Sequence, residues 1–91
     1  MIALEDVIGM CGLTEAEVDA IAEHEHIPEI AAAALADYLM HQHRGPGHIR
    51  RMISEDVRGA IRRNDVAHAS DLLAALRTFV SQHPEAVHAR D

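Results

Sequence analysis

The chain has 91 residues, of which 48% are hydrophobic, with a formal charge of −7, one cysteine and only two aromatic residues among Phe, Tyr and Trp. This length fits one small domain that buries about 60 to 65% of the surface of its unfolded chain, and the hydrophobic fraction excludes a disordered segment. One cysteine excludes an internal disulfide, while the negative charge and the lack of aromatic side chains disfavour nucleic-acid binding.

The N-terminal residues carry no basic residue ahead of their apolar positions, so we expect no secretory signal and a cytoplasmic protein. The longest strongly apolar run, residues 30–35, is far shorter than the ~20 residues that a membrane span requires. We therefore expect no transmembrane helix.

Apolar residues recur at helical spacing, and no stretch alternates as a strand does. The sequence therefore predicts an all-α fold, a single domain over residues 1–91 with four to five short helices in an orthogonal array or irregular bundle. The first predicted helix ends at Gly12, and its apolar face consists of Leu4, Val7, Ile8 and Cys11. The second begins after Thr14, which forms a capping box with Glu17, while Leu13 packs on Val18 as a hydrophobic staple.

Prolines and glycines set the later boundaries. Pro28 favours the first turn of a helix, so the second helix is predicted to end near His26 and the third to begin at Pro28. Gly45-Pro46-Gly47 indicates a strong break between the third and fourth helices. The fourth helix is predicted to end near Asn64.

Asp65 is predicted to cap the fifth helix, and Pro84 to stop it. The tail that follows, residues 85–91, is expected to fray.

Charge is segregated along the chain. Residues 1–43 hold nine acids and no Arg or Lys, whereas residues 44–91 hold all eight Arg and six acids. We expect the acidic helices and the Arg-rich fourth helix to face each other, within one chain or across a dimer. The small core and the segregated charge together predict a homodimer.

The stretch Glu23-His24-Glu25-His26 is a candidate metal site. Glu23 and His26 lie about 60° apart on a helix, the Glu-x-x-His pairing of di-iron carboxylate bundles, but those bundles need two such motifs and two further glutamates. The pair also points away from the apolar face. A metal-binding protein for zinc, iron or manganese is therefore the alternative function, with Glu23, His24, Glu25, His26 and His41 as ligands, completed in one version across a dimer interface.

Two acids fall within predicted apolar faces, Glu25 on the second helix and Asp56 on the fourth. A buried carboxylate needs a partner, a solvated helix end or a raised pKa. We expect an inter-helix polar network that fixes helix register, formed by these two acids with members of the set His41, His68, His83, Arg51 and Arg63.

No catalytic nucleophile or oxyanion feature accompanies these groups, so an enzyme is not predicted. The favoured function is a non-enzymatic protein-interaction or regulatory module that presents an acidic surface, consisting of Glu15, Glu17, Asp19, Glu23 and Glu29. Arg50, Arg51 and Arg58 extend the predicted interaction surface. A weaker alternative is nucleic-acid binding through the Arg-rich fourth helix, with Arg50, Arg51, Arg58 and Arg62 as contacts.

Overall fold

The computed structural model describes residues 12–88, and this part of the chain forms five helices and no strand. The helices are α1 (Glu15–Glu25), α2 (Glu29–Met40), α3 (Gly45–Arg62), α4 (Val66–Gln82) and α5 (Glu85–His88). The predicted all-α fold is confirmed. The predicted first helix, with Cys11, lies outside the described residues.

The helix α3 is the centre of the packing, because it contacts each of the other four helices between residues 12 and 88. Its most extensive contact is with α4, and α1 packs on α2, α3 and α4. The largest core side chains are Phe79, Ile21, Ile49, Met52 and Ile53. Alanine fills much of the remaining core, at Ala20, Ala32, Ala33, Ala36 and Ala60.

The start of α1 follows the predicted capping box. The Thr14 hydroxyl accepts a hydrogen bond from the Glu17 backbone N–H at 3.2 Å, and Glu17 Oε1 accepts one from the Thr14 N–H at 2.9 Å. Gly12, just before, has a positive φ of 77°, a left-handed conformation that glycine adopts without steric cost. Leu13 and Val18 are both buried in the core, as the predicted staple requires.

Two helices end in the same way, each with a non-glycine residue in the left-handed region. His26 (φ 57°) follows α1 and Asn64 (φ 59°) follows α3. The next residue in each case donates its N–H back into the last turn, Ile27 to Ala22 O at 3.1 Å and Asp65 to Ala60 O at 2.9 Å. These are Schellman-type ends, and they confirm the boundaries predicted near residues 26 and 64.

The prediction of a break at Gly45-Pro46-Gly47 is wrong, because these residues form the buried first turn of α3. The connection after α2 instead lies between Met40 and Gly45. A Cβ built on Gly45 would stand 1.4 Å from the Leu39 carbonyl oxygen, so the glycine permits direct backbone contact between the two helices. Pro46 is tolerated because its missing N–H has no partner in a first turn.

Asp65 caps α4 as predicted, since its Oδ1 accepts a hydrogen bond from the His68 N–H at 3.2 Å, and α4 ends before Pro84. Residues 85–88 of the tail form the short helix α5, and the fraying of the tail stays a prediction. Ala86 in α5 is 1% exposed, and its carbonyl accepts a hydrogen bond from Arg50 Nε at 3.0 Å. Residues 89–91 lie outside the described part. No helix between residues 12 and 88 has both the length and the apolarity to cross a membrane.

Candidate functional site

A groove of about 650 Å³ lies between α1 and α4. Short side chains provide most of its lining: Thr14, Ala16, Ala20, Ala74, Ala75 and Thr78, with Leu72 as the largest apolar contributor. The two helices run antiparallel along the groove. Glu17 near the start of α1 interacts with the charge of His83 at the end of α4, and Glu23 near the end of α1 contacts His68 near the start of α4. The volume is in the usual range for a binding cleft.

The charged groups of this groove are three acids and one histidine, namely Asp19 and Glu23 from α1 and Asp71 and His68 from α4. No Arg or Lys of residues 12–88 lines it. The groove therefore combines a lining of small side chains with a negative rim.

The acids of α1 form a stripe along one side of the helix. Glu15, Asp19 and Glu23 are spaced four residues apart, and all three are exposed. Like charges at this spacing destabilise a helix by about 0.2 to 0.5 kcal/mol per pair. The stripe therefore concentrates negative potential beside the groove and lowers the stability of α1.

Glu17 does not belong to the acidic surface, which corrects the prediction for this residue. Its side chain is 0% exposed because the second half of the capping box turns it back toward the Thr14 backbone. Burial raises the pKa of Glu17, an effect that the Thr14 hydrogen bonds and the charge of His83 only partly oppose. Glu17 Oε2 and His83 Nε2 are both buried without a hydrogen-bond partner among residues 12–88.

His68 closes one end of the groove. Its Nε2 lies 2.6 Å from Glu23 Oε1, a hydrogen bond that joins the last turn of α1 to the first turn of α4. This hydrogen bond raises the pKa of His68; the charges of Glu23 and Asp65 add to the shift, while desolvation and the charge of Arg63 oppose it.

His24 joins α1 to α3. Its Nδ1 lies 2.9 Å from Glu25 Oε2 and its Nε2 lies 2.9 Å from Glu55 Oε1, so both ring nitrogens face carboxylates. Partial burial lowers the pKa of His24, but the hydrogen bonds to Glu55 and Glu25 and the charge of Asp56 outweigh it, and the pKa is raised. The hydrogen bond between His24 and Glu55 lowers the pKa of Glu55.

Polar contacts join α1 to α3 and α4, but they do not bring Glu25 and Asp56 into the predicted network, and Asp56 Oδ2 is buried without a hydrogen-bond partner among residues 12–88. Glu25 is exposed at the end of α1 and contacts His24, so it does not sit in the core. Asp56 is half-buried; desolvation raises its pKa, and the nearby charges of His24 and His68 partly offset this. Of the three predicted histidines, His68 contacts an acid of α1, Glu23. His24, which was not in the predicted set, contacts Glu25 and Glu55.

The five predicted metal ligands do not converge on one point, since none of them belongs to a grouping of three candidate ligands between residues 12 and 88. Glu23 contacts His68, and both nitrogens of His24 contact carboxylates. His26 is exposed in the left-handed turn after α1. At the far end of α2, the His41 side chain is 75% exposed, and its Nδ1 lies 2.7 Å from the Asp37 carbonyl oxygen. We therefore do not identify this set as a metal site.

A different acidic group forms where α1 meets α2. One oxygen from each of Glu15, Asp19 and Glu29 lies within 4.8 Å of the others, and within residues 12–88 this is the one such grouping of three candidate metal ligands. A hydrogen bond with Asp19 raises the pKa of Glu29, and the charges of Asp19 and Glu15 act in the same direction. Exposed acids adopt this arrangement often without an ion, and the chain can relieve the repulsion by sharing a proton.

The acidic helix α1 packs on the Arg-rich helix α3, and His24–Glu55 is an ion pair between them. Arg58 and Arg62 are exposed and form no ion pair with an acid among residues 12–88. Arg50 is half-buried and binds the Ala86 carbonyl, so it contributes to the fold and not to a free surface.

Three of the residues that define the site were not assigned to it from the sequence: Glu55, His68 as a groove residue, and Asp71. Their signal is weak, since each is a single polar residue at the edge of an apolar stripe. Only the antiparallel placement of α1 and α4 shows that His68 and Asp71 face the acidic stripe.

Comparisons with protein-family models, with curated proteins and with solved structures found no match for this chain.

Proposed function

We propose that this chain is a non-enzymatic protein-interaction module whose groove between α1 and α4 binds a basic amphipathic helix of a partner protein. The observation that carries the proposal is the groove itself, in which Asp19, Glu23 and Asp71 surround a lining of short side chains and no Arg or Lys of residues 12–88 contributes.

The lining of the groove favours a helix as the occupant. Ala16, Ala20, Ala74 and Ala75 carry no bulk that would hold a partner backbone at a distance. From Thr14 to Glu23 the groove follows α1 for about 14 Å at 1.5 Å per residue, which corresponds to two to three helical turns. An amphipathic helix laid along such a groove contacts it at i, i+3, i+4 and i+7.

The charge of the groove selects a cationic partner. Its three carboxylates are part of a chain with a formal charge of −7, so the field attracts Lys and Arg over a distance of about one Debye length. Such complementarity raises the association rate and sets the orientation more than it raises affinity. Removing one rim acid is expected to weaken binding about twofold to fivefold.

The two alternative functions have less support. Among residues 12–88, the predicted metal ligands do not form a grouping of three candidate ligands, and the chain has only two aromatic residues on which bases could stack. The homodimer stays a prediction, and sedimentation velocity between about pH 7.5 and about pH 5.5 tests it. Full protonation of the eight His would change the formal charge from −7 to +1 (−7 + 8), and association is expected to change with it.

A labelled helical peptide of roughly 14 residues, made of Ala, Leu and Arg with Arg along one edge, tests the proposal by fluorescence anisotropy. We expect saturable binding that weakens with added salt, and no binding of the same peptide with Glu in place of Arg. Asp71→Asn should weaken binding, whereas Asp37→Asn, an exposed acid on α2 outside the groove, should not.

A second pair of variants locates the peptide. Ala74→Leu fills the groove from an exposed position, so it should block binding while leaving the helical fold intact. Ala67→Leu, at an exposed alanine of α4 that does not line the groove, is the matched control. Binding that is insensitive to Ala74→Leu and to salt would show that this groove is not the docking site.

A further inference from the structure

The contact between Glu23 and His68 occupies the rim that a cationic partner would use. His68 Nε2 is 2.6 Å from Glu23 Oε1, and both residues line the groove. One third of the His68 side chain is exposed (34%), so its ring exchanges protons with solvent. The imidazole therefore stands where a partner's ammonium or guanidinium group would bind the same carboxylate.

The neighbours of His68 come from three elements. Glu23 contacts it from α1, and Asp65, the cap of α4, and Asp71 in α4 lie near it. Asp56 acts on it from α3, and Arg63 acts on it from the residue that follows α3. Four of these five groups are acids, so the ring sits in a negative field with a direct hydrogen bond to one of them.

We propose that His68 competes with the partner's cationic side chain for Glu23, so that protonation of His68 weakens partner binding at this groove. This inference rests on the proposed function and adds a mode of control to it. Protonated His68 places one positive charge on the rim and engages Glu23 in a charge-assisted hydrogen bond. Neutral His68 leaves the rim one charge more negative and binds Glu23 less strongly. A Lys or Arg of the partner therefore displaces the His68 ring from Glu23 at a smaller cost in free energy.

The sign of the pH dependence follows. His68 is protonated at low pH and loses its proton as the pH rises through its raised pKa, above the ordinary value of 6.5. Partner affinity should therefore increase with rising pH across this range. Because coupling between two binding events is reciprocal, partner binding should also lower the pKa of His68.

The Ala–Leu–Arg peptide described above serves as the probe, with affinity measured at about pH 6 and about pH 8.5, on either side of the range in which histidines titrate. We expect roughly threefold to fivefold tighter binding to the wild-type chain at the higher pH, the effect of one rim charge. His68→Gln keeps a donor for Glu23 but cannot take a proton, so its affinities for the peptide at the two pH values should differ by less than about twofold. In a parallel NMR titration, the midpoint of the His68 ring should fall when the peptide is bound.

His24→Gln is the matched control, because His24 also binds carboxylates and has a raised pKa but lies outside the groove. Its pH ratio should equal that of the wild-type chain. The competition would be overturned if His68→Gln bound the peptide with the same ratio of affinities at the two pH values as the wild-type chain, or if peptide did not change the titration midpoint of the His68 ring. Either result would still support the groove as the docking site. Absence of binding at both pH values would overturn the docking groove and the competition together.

Discussion

Replacing Glu17 with Gln is expected to stabilise the fold at neutral pH, although it removes a residue of a confirmed capping box. Glu17 is 0% exposed, and its Oε2 is buried without a hydrogen-bond partner among residues 12–88. Gln keeps a side-chain oxygen in place to accept the Thr14 N–H bond, which measures 2.9 Å in the structure. The substitution therefore preserves the cap and removes the buried charge together with its attraction to His83, and it places the amide N–H groups where the unpartnered Oε2 lies.

The pH dependence gives this prediction a sign and a size. The unfolded carboxyl has its ordinary pKa of 4.5, and burial raises the pKa in the folded state. Folding therefore takes up a proton between these two values, and the free energy of unfolding falls by up to about 1.4 kcal/mol per pH unit as the pH rises through that window. The Gln variant lacks this loss. Its advantage should be near zero below pH 4.5, grow as the pH rises through this window, and stay constant above the folded pKa.

Urea denaturation followed by far-UV circular dichroism, repeated between about pH 4 and about pH 8, measures the difference. Asp37→Asn, which neutralises an exposed acid, controls for the loss of net charge and should change the free energy of unfolding by less than about 0.5 kcal/mol. A Glu17→Gln variant that differs from the wild-type chain by the same amount at every pH would contradict the reasoning, because a buried ionisable carboxylate must produce a pH-dependent difference.

Three further substitutions test the fold and its polar network. Gly45→Ala should lower the free energy of unfolding by more than about 3 kcal/mol because its Cβ would collide with the Leu39 backbone. Gly59→Ala, whose Cβ meets only the flexible side chains of Arg63 at 3.3 Å and Arg62 at 3.9 Å, should be neutral or stabilise by up to about 1 kcal/mol. Equal effects of the two substitutions in thermal melts would refute the close approach of α2 and α3. His26→Gly should stabilise by about 0.5 to 1 kcal/mol in the same assay because glycine adopts the left-handed conformation freely, and a loss of stability would count against the left-handed turn at this residue. The contacts of protonated His24 stabilise the wild-type chain below pH 6.5, and this stability is lost as the pH rises through the raised pKa. His24→Gln should therefore be less stable than the wild-type chain at low pH and equally stable at high pH. A difference in the free energy of unfolding that is the same at every pH would argue against the imidazolium contacts.

Local signals in the sequence predicted most of the helix boundaries. The Thr14 capping box, the Asp65 cap and the stops at Pro28 and Pro84 each depend on a few consecutive residues, and the structure confirms them. Gly45-Pro46-Gly47 was misassigned because the same residues suit a turn or the first turn of a helix. The choice between them depends on Leu39, whose backbone approaches Gly45 from the preceding helix.

The candidate site was less predictable because helical periodicity places a residue on a face but does not say which helix covers that face. Periodicity placed Glu25 toward the core, yet α1 ends at Glu25 and solvent reaches it. Conversely, Glu17 was predicted to be one of several exposed acids, but its side chain turns back to the Thr14 backbone and is buried there. The partnership of Glu23 with His68 spans 45 residues, a separation that no local pattern encodes.

Alanine connects the composition of this chain to its groove. Where α1 meets α4, Ala20 and Ala75 are buried, and Ala16 and Ala74 are exposed beside them. Two helices are roughly cylindrical, and the space above their line of contact stays open unless large side chains occupy it. With only two aromatic residues in the chain, and Phe79 committed to the core, little bulk is left to fill that space. The core and the groove therefore share one cause, and the acids along the rim are the reason that we propose a cationic partner for the open space.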